Sequence, residues 1–164
     1  MIKVGDRIPA GSMKEMNATG KVVTVSTAKL FKGKTVAIFG LPGAYTPVCS
    51  NAHLPGYVKN AAKLRKQGVD AIACISVNDP FVMDAWGKAH KVGDKIQMLA
   101  DWDASFSKSI GMDIDLPADG LGVRSKRYSA LVVNGVVKKL YAEKGTGTHT
   151  VCAAVNMLDE LMAG

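Results

Sequence analysis

Cysteines are the residues of this 164-residue chain with the widest range of possible chemistry, and there are three: Cys49, Cys74 and Cys152. Their number is odd and low, which excludes a disulfide scaffold, in which cysteines are dense and usually even in number. The thiols can therefore be buried and inert, can ligate a metal, or can react. Most of the functional question depends on which of these roles each one has.

Cys49 lies in a short segment that follows a predicted strand and leads into a predicted helix. Pro42 and Gly43 favour a tight loop, Thr46 suits the N-cap position, and Pro47 suits the first helical position. Cys49 then falls in the first helical turn, where free N–H groups and the positive end of the helix dipole favour an anion. Because the thiolate is the nucleophile, this position predicts a reactive cysteine. The alternative is a buried inert thiol beside a capping Thr46.

Other kinds of cysteine site fit the sequence less well. A dithiol oxidoreductase is disfavoured because the chain has no Cys-x-x-Cys pair. A cysteine hydrolase needs a Cys–His pair, but no hydrolase signature surrounds Cys49 or His53. These two residues are too few for zinc, and no second ligand pair has metal-binding spacing, so we predict no metal and no cofactor. His53 either orients the loop around Cys49 or packs the start of the helix.

The elements that must position Cys49 alternate between short strands and helices, which indicates an α/β layered fold. The patterns predict strands over 21–25, 34–39 (ended by Gly40), 69–77 and 96–100, and helices over 54–67, 79–90 and 105–110. Asn134-Gly135 predicts a hairpin between 127–133 and 136–142, and an amphipathic helix over 150–162 follows it. This order fits a thioredoxin-like fold with a mixed central sheet, helices on both faces and a small insertion at 96–111.

Length and charge restrict the remaining possibilities. The length suits one domain over residues 1–164. The formal net charge is +7, but no nucleic-acid motif accompanies it, so we expect a solvated basic surface and no nucleic-acid partner. The first residues contain no apolar signal-peptide core, and no apolar run reaches the roughly 18 residues of a membrane span. The sequence therefore predicts a cytoplasmic protein with no membrane partner.

The segment from Pro42 to Cys49 resembles the active-site motif of peroxiredoxins, Pro-x-x-x-Thr-x-x-Cys. With Ser50 and residues 53–56 it is similar to the peroxiredoxin 5 subfamily, which includes the plant type II enzymes. The resemblance continues, in the expected order, at residues 76–83, 121–128 and 145–147. It therefore extends over nearly the whole chain.

This resemblance implies a thiol peroxidase that reduces hydrogen peroxide and alkyl hydroperoxides. Cys49 would be the peroxidatic cysteine and would pass through a sulfenic acid. Arg124 would offer guanidinium N–H groups to the sulfur and the peroxide oxygen, Thr46 would offer a hydroxyl, and Pro42 would shield the thiolate from water. The family also implies a homodimer formed through the loops around the active site.

Three routes could return the oxidised cysteine to a thiol. Plant type II enzymes carry a proposed resolving cysteine in the strand that matches Cys74, although a disulfide to Cys49 needs Cα atoms within about 7 Å and hence local unfolding. Animal-type peroxiredoxin 5 has its resolving cysteine near the position of Cys152, but the spacing here fits the plant and bacterial form better. The preferred expectation is a one-cysteine route recycled by glutathione and glutaredoxin, with thioredoxin as the alternative donor.

A second hypothesis comes from another functional class. The same fold and the same cysteine would suit a redox-interaction or chaperone-like module of the thioredoxin fold without peroxide turnover. Peroxide consumption by the wild type and by a Cys49→Ser variant separates the two hypotheses.

Overall fold

The protein is organised around a seven-stranded mixed β-sheet, and the computed structural model describes residues 1–163. The strands of this sheet are Ser12–Met16 (β1), Val22–Ser26 (β2), Thr35–Leu41 (β3), Ala71–Ser76 (β4), Gln97–Ala100 (β5), Tyr128–Val133 (β8) and Val136–Ala142 (β9). Their spatial order is β2-β1-β5-β4-β3-β8-β9. Strands β3, β4 and β5 run parallel, so their carboxyl ends meet at one edge of the sheet. Asp113–Leu116 (β6) and Gly122–Ser125 (β7) form a separate antiparallel pair.

Helices cover both faces of the sheet, as the sequence predicted. They are Thr27–Phe31 (α1), Leu54–Lys66 (α2), Pro80–Ala89 (α3), Ser105–Ser109 (α4) and Ala154–Ala163 (α5). Alternate residues of β3 enter different cores: Phe39 packs with α2, α3 and α5, whereas Ile38 packs with α1 and α4. The thioredoxin-like α/β fold is thereby confirmed. No helix among residues 1–163 is long and apolar enough to cross a membrane.

Most of the predicted elements are present within a few residues of their predicted ends. The β8–β9 hairpin turns at Asn134 and Gly135, whose φ angles of 48° and 79° are those that the Asn-Gly signal requires. β3 does not stop before Gly40 but continues to Leu41. The ring of Tyr128 lies against Gly40 where a Cβ would be, so glycine allows β8 to approach here.

The last helix begins at Ala154 rather than at residue 150. The Glu143 carboxylate accepts hydrogen bonds from the backbone N–H groups of Thr150 and Cys152, both at 2.9 Å. These bonds hold the segment before α5 as a turn. A long-range side-chain contact thus sets this boundary, which is why the amphipathic pattern alone extended the helix too far.

β1 and the β6–β7 pair were not predicted. β1 has one fully buried side chain, Met13, so it lacks the clear alternation of apolar and polar residues from which a strand is predicted. β5, which the sequence placed in an insertion, lies between β4 and β1 in the main sheet. The prediction of a single domain over residues 1–164 stays a prediction.

Candidate active site

The loop that follows β3 is held from the neighbouring strand. The side-chain oxygen of Asn78 accepts the backbone N–H of Ala44 at 3.0 Å and the hydroxyl of Ser76 at 2.6 Å. Tyr45 has a φ of 66°, in a region that non-glycine residues rarely adopt. Because β3 and β4 are parallel neighbours, the end of β4 fixes the loop that carries Cys49.

Helical structure begins at Pro47 and places Cys49 in the first turn, as predicted. A π-helical turn, Cys49–His53, then leads directly into α2. Thr46 lies at the N-cap position before Pro47, as predicted, but its hydroxyl donates to the Gly43 carbonyl at 2.7 Å and accepts no helical N–H among the described residues. The hydroxyl proton is thereby committed, and the oxygen lone pairs of Thr46 remain available to accept a hydrogen bond.

The sulfur of Cys49 is fully buried and contacts a buried arginine. The Nη2 atom of Arg127 donates to Cys49 Sγ at 3.0 Å. Arg127 is only 2% exposed and lies immediately before β8. Its Nε and Nη2 atoms also donate to the Thr146 carbonyl at 3.2 and 3.1 Å, which fixes the plane of the guanidinium.

Arg127 has no carboxylate partner within the part of the chain that the structure describes. The ion pairs found among those residues lie on the surface, away from Arg127. A buried guanidinium stays charged, and burying a charge without an opposite charge is costly. The thiolate form of Cys49 can supply that negative charge at contact distance. Negative charge on the sulfur, or on an atom that reacts with it, would therefore lie next to the buried guanidinium of Arg127.

Arg124 does not reach Cys49, and the expectation that its guanidinium contacts the sulfur is wrong. Its Nε donates to the Leu121 carbonyl at 2.9 Å, and its Nη1 donates to the Pro42 carbonyl at 3.2 Å. Arg124 lies within β7, in the small strand pair outside the main sheet. It therefore supports the loop in front of Cys49 instead of contacting the sulfur.

Sequence reasoning missed Arg127 because the cluster at residues 124–127 contains three cations, and residue type alone does not separate them. One signal was present in the sequence. Arg127 immediately precedes β8, whose apolar character marks it as a strand of the main sheet, beside the strand that leads to Cys49. An arginine at that position is well placed to be buried next to the reactive cysteine.

A pocket of about 480 Å³ opens beside this pair. Pro42 and Thr46 line it on one side, Arg127 and Thr146 on another. Pro42 is itself buried. Arg127 both lines the pocket and contacts the sulfur, so a small polar molecule in the pocket would meet the same guanidinium that holds Cys49. The catalytic roles of Cys49, Thr46 and Pro42 stay predictions.

His53 is fully buried behind Arg127. Its Nδ1 lies 3.0 Å from Arg127 Nη1. Arginine can only donate, so Nδ1 accepts and the neutral ring carries its proton on Nε2. Burial lowers the pKa of His53 well below its usual value, and the positive charge of Arg127 lowers it further. His53 is therefore a neutral acceptor that orients the guanidinium.

The other two cysteines are fully buried free thiols. Cys74 lies in the middle of β4, opposite Phe39 of β3. Burial raises the pKa of Cys74 well above its usual value, and the neighbouring Cys49 raises it further. Burial also raises the pKa of the Cys152 thiol, with a further contribution from the Glu143 carboxylate. Neither thiol is poised as a nucleophile in this state.

Comparisons with known proteins agree with the fold and with the cysteine motif. The Redoxin family matches residues 3–158. Over 163 residues the chain is 45% identical to Peroxiredoxin-2E, chloroplastic, from Arabidopsis thaliana, covering 98% of this chain and 69% of the relative. Over 160 residues it is 40% identical to Peroxiredoxin-2D from the same plant, covering 98% of each. The crystal structure of reduced Prx3 from Vibrio vulnificus in complex with H₂O₂ superposes with a TM-score of 0.92, at 43% identity, covering 98% of this chain and 99% of that one.

A thioredoxin-like sheet, with a cysteine in the first helical turn after β3 and a buried arginine on its sulfur, defines a thiol-based redox protein. The chain belongs to the peroxiredoxins, a family of thiol-dependent peroxidases, and within them to the peroxiredoxin 5 subfamily that includes the plant type II enzymes.

Proposed function

We propose that this protein reduces hydrogen peroxide and alkyl hydroperoxides at Cys49. The observation that carries the proposal is the 3.0 Å contact between the Cys49 sulfur and the buried guanidinium of Arg127. The similar Prx3 from Vibrio vulnificus, whose structure holds H₂O₂, supports peroxide as the substrate class.

In the proposed step the thiolate of Cys49 attacks one peroxide oxygen. The S–O bond forms as the O–O bond breaks, so sulfur is oxidised to the sulfenic acid and the peroxide is reduced. The other oxygen leaves with the bonding electron pair and takes up a proton to become water or an alcohol. Negative charge thus moves from the sulfur toward the leaving oxygen.

Arg127 and Thr46 are placed to assist this charge movement. Arg127 contacts the sulfur and lines the pocket, so its planar fork can follow the charge from one atom to the other. The Thr46 hydroxyl donates to Gly43, so its oxygen can accept the O–H of the bound peroxide. Together they orient the peroxide for in-line attack.

We further propose that external thiols recycle the enzyme, with glutathione and glutaredoxin as the donors and thioredoxin as the alternative. The sulfenic acid would condense with one external thiol, releasing water and forming a mixed disulfide. A second external thiol would then attack the donor sulfur of the mixed disulfide, which forms a disulfide between the two donor thiols and releases Cys49 as a thiol. Full burial of both Cys74 and Cys152 supports this route, because a resolving disulfide would need either one to leave the core.

We also propose a homodimer that covers the edge of the sheet next to the active site. Tyr45 follows β3, Phe81 follows β4 and Trp102 follows β5, and these rings are 57%, 65% and 57% exposed. The three strands are parallel, so their aromatic residues lie at the same edge. Exposed aromatic groups at one edge are typical of an interface.

The dimer proposal is tested by analytical ultracentrifugation of the wild type and of Phe81→Asp. We expect a dimer for the wild type and a weakened dimer for the variant. Val22→Asp is the matched control, since Val22 is an exposed apolar residue on the outermost strand β2. A monomeric wild type, or equal weakening by both variants, would contradict the proposal.

A cytoplasmic location is proposed on the sequence alone. One of the relatives above is chloroplastic by name, so the location of this chain needs its own measurement. Immunoblotting of separated cell fractions gives that measurement, and recovery in a membrane or organelle fraction would contradict the proposal.

The central experiment measures peroxide consumption by the wild type and by Cys49→Ser with glutathione plus glutaredoxin, and separately with thioredoxin. We expect turnover in the wild type and none in the variant. Mass spectrometry of the oxidised wild type should find no disulfide between Cys49 and Cys74 or Cys152. A folded wild type that reduces no peroxide with any thiol donor would contradict the peroxidase proposal and favour a redox-interaction module.

A further inference from the structure

A second cluster of potential ligands lies behind the active site, between the start of α2 and the segment that precedes α5. His53, His149 and Cys152 each offer one ligand atom, and these three atoms lie within 4.8 Å of one another. His53 and Cys152 are fully buried and His149 is half-buried. The sequence did not indicate this cluster, because its members are spread from residue 53 to residue 152 without metal-binding spacing.

Two nitrogens of the cluster are buried without a hydrogen bond of full geometry among the described residues, although the Cys152 backbone carbonyl lies near enough to His53 to oppose the lowering of its pKa. These are His53 Nε2 and His149 Nε2. The two imidazole rings lie 4.9 Å apart between centroids and are tilted by 48°. Buried polar atoms are almost always paired, so two unpaired nitrogens next to a thiol point to a ligand between them.

The chemistry of the three donors selects the ligand. Two imidazole nitrogens and one thiolate form a donor set that Zn²⁺ prefers, and three protein ligands leave a fourth position for water. Bonds of about 2.0–2.3 Å in tetrahedral geometry bring ligand atoms to roughly 3.3–3.8 Å from one another, so the side chains need to close by only about an ångström. We propose that His53, His149 and Cys152 form a binding site for Zn²⁺ or a similar thiophilic divalent cation. Binding would release the thiol proton of Cys152 to solvent.

The site is coupled to Arg127 through the two nitrogens of His53. When Arg127 donates to Nδ1, the single proton of the neutral ring is on Nε2, which then cannot ligate a metal. Coordination at Nε2 moves that proton to Nδ1, where it faces the N–H of Arg127. The metal and the Arg127–His53 hydrogen bond therefore exclude each other. A bound cation would remove the hydrogen bond that orients Arg127 Nη1, while the bonds to Thr146 remain, and would thereby slow peroxide reduction. This consequence rests on the proposed function, whereas the binding itself does not.

Binding is tested with Co²⁺ as a spectroscopic substitute for Zn²⁺, added to the reduced full-length protein. We expect one equivalent of Co²⁺ to produce a thiolate-to-cobalt charge-transfer band, and Zn²⁺ to remove that band by competition. Cys152→Ser should abolish the band, and His149→Ala should weaken Co²⁺ binding by at least about tenfold. Cys49→Ser and Cys74→Ser should retain the band. Circular dichroism shows whether each variant is folded.

Three results would overturn the site: no charge-transfer band in the wild type, a band that survives in Cys152→Ser, or a band that disappears in Cys49→Ser. The last result would place the metal on the peroxidatic thiol. In a separate arm, the ratio of peroxide reduction rates with and without Zn²⁺ should fall at least tenfold in the wild type and stay near one in His149→Ala. If Zn²⁺ leaves the peroxide rate of the wild type unchanged although the charge-transfer band is present, the metal site exists but is not coupled to the active site.

Discussion

Arg124 and Arg127 are three residues apart in one basic cluster, yet they occupy different environments. Arg127 is 2% exposed and divides its N–H groups among Cys49, His53 and Thr146. Arg124 is half-exposed and donates only to backbone carbonyls. The first arginine faces the core from the start of a central strand, and the second lies in a small strand pair beside the loop.

The position of each arginine in the fold therefore determines which groups its guanidinium can contact. A buried guanidinium is strongly coupled to the charge of its neighbour, whereas a solvated one is screened. Arg127 can therefore stabilise the charge on sulfur and on a leaving oxygen. Arg124 acts through the position of Pro42, to whose carbonyl it donates.

The largest effect is expected for Arg127→Ala. Loss of the group that stabilises the developing charge should slow the reaction of Cys49 with hydrogen peroxide by roughly 10²–10³-fold. Stopped-flow measurement of a single oxidation event checks this rate without the recycling step. Arg127→Lys should recover only part of the loss, because lysine keeps the charge but not the fork. If Arg127→Ala reacts as fast as the wild type, the comparison between the two arginines fails.

A smaller effect is expected for His53→Ala, measured in the presence of a chelator. This change removes the acceptor that orients Arg127 Nη1, and a hydrogen bond to a charged group contributes about 1.5–3 kcal/mol. The peroxide rate should fall by roughly tenfold, with little dependence on which peroxide is used. Combining the change with Arg127→Ala should add almost nothing, since both act on one interaction. Full additivity would show that His53 acts independently of Arg127.

Arg124→Ala should slow the same single oxidation event by less than about tenfold. Its loss leaves the Pro42 carbonyl without this donor but leaves the sulfur contact intact. The effect should be additive with Arg127→Ala, because the two side chains share no partner. A loss as large as that of Arg127→Ala would restore the direct catalytic role predicted from the sequence.

The smallest effect is expected for Gly43→Ala, which tests the Arg124 contact without removing a charge. A Cβ at this position would lie 2.6 Å from Arg124 Nη1, so the flexible end of Arg124 must shift. We expect a rate equal to or slightly above that of Arg124→Ala, and no further loss when the two changes are combined. A further loss in the double variant would show that Gly43 matters for another reason, such as the carbonyl that receives the Thr46 hydroxyl.

Much of the fold could be predicted from local patterns. The apolar run at residues 69–77, the Asp79-Pro80 helix start and the Asn134-Gly135 turn each produce their element through local chemistry. Asp79 does cap α3, accepting the N–H of Val82 at 2.8 Å. The β6–β7 pair and the start of α5 could not be predicted in the same way, because contacts made across the chain determine them.

The residues of the candidate site likewise fall into two groups, those placed by local sequence and those placed by contacts across the chain. The motif from Pro42 to Cys49 is contiguous, so its loop and first helical turn follow from residue types and spacing. Arg127 and His149 reach the site from the far end of the chain through the order of the strands. Tertiary packing determines which residues they contact, so residue spacing in the sequence does not predict these contacts.

The sequence by itself determined that Cys49 stands at the start of a helix after a central strand, since proline, threonine and strand propensity act over a few residues. Only the tertiary structure decided which charge meets its sulfur and what surrounds the other thiols. β8 pairs with β3 and brings Arg127 onto Cys49, while Glu143 lies against Cys152. Interactions between charges depend on distance and burial, and folding sets both.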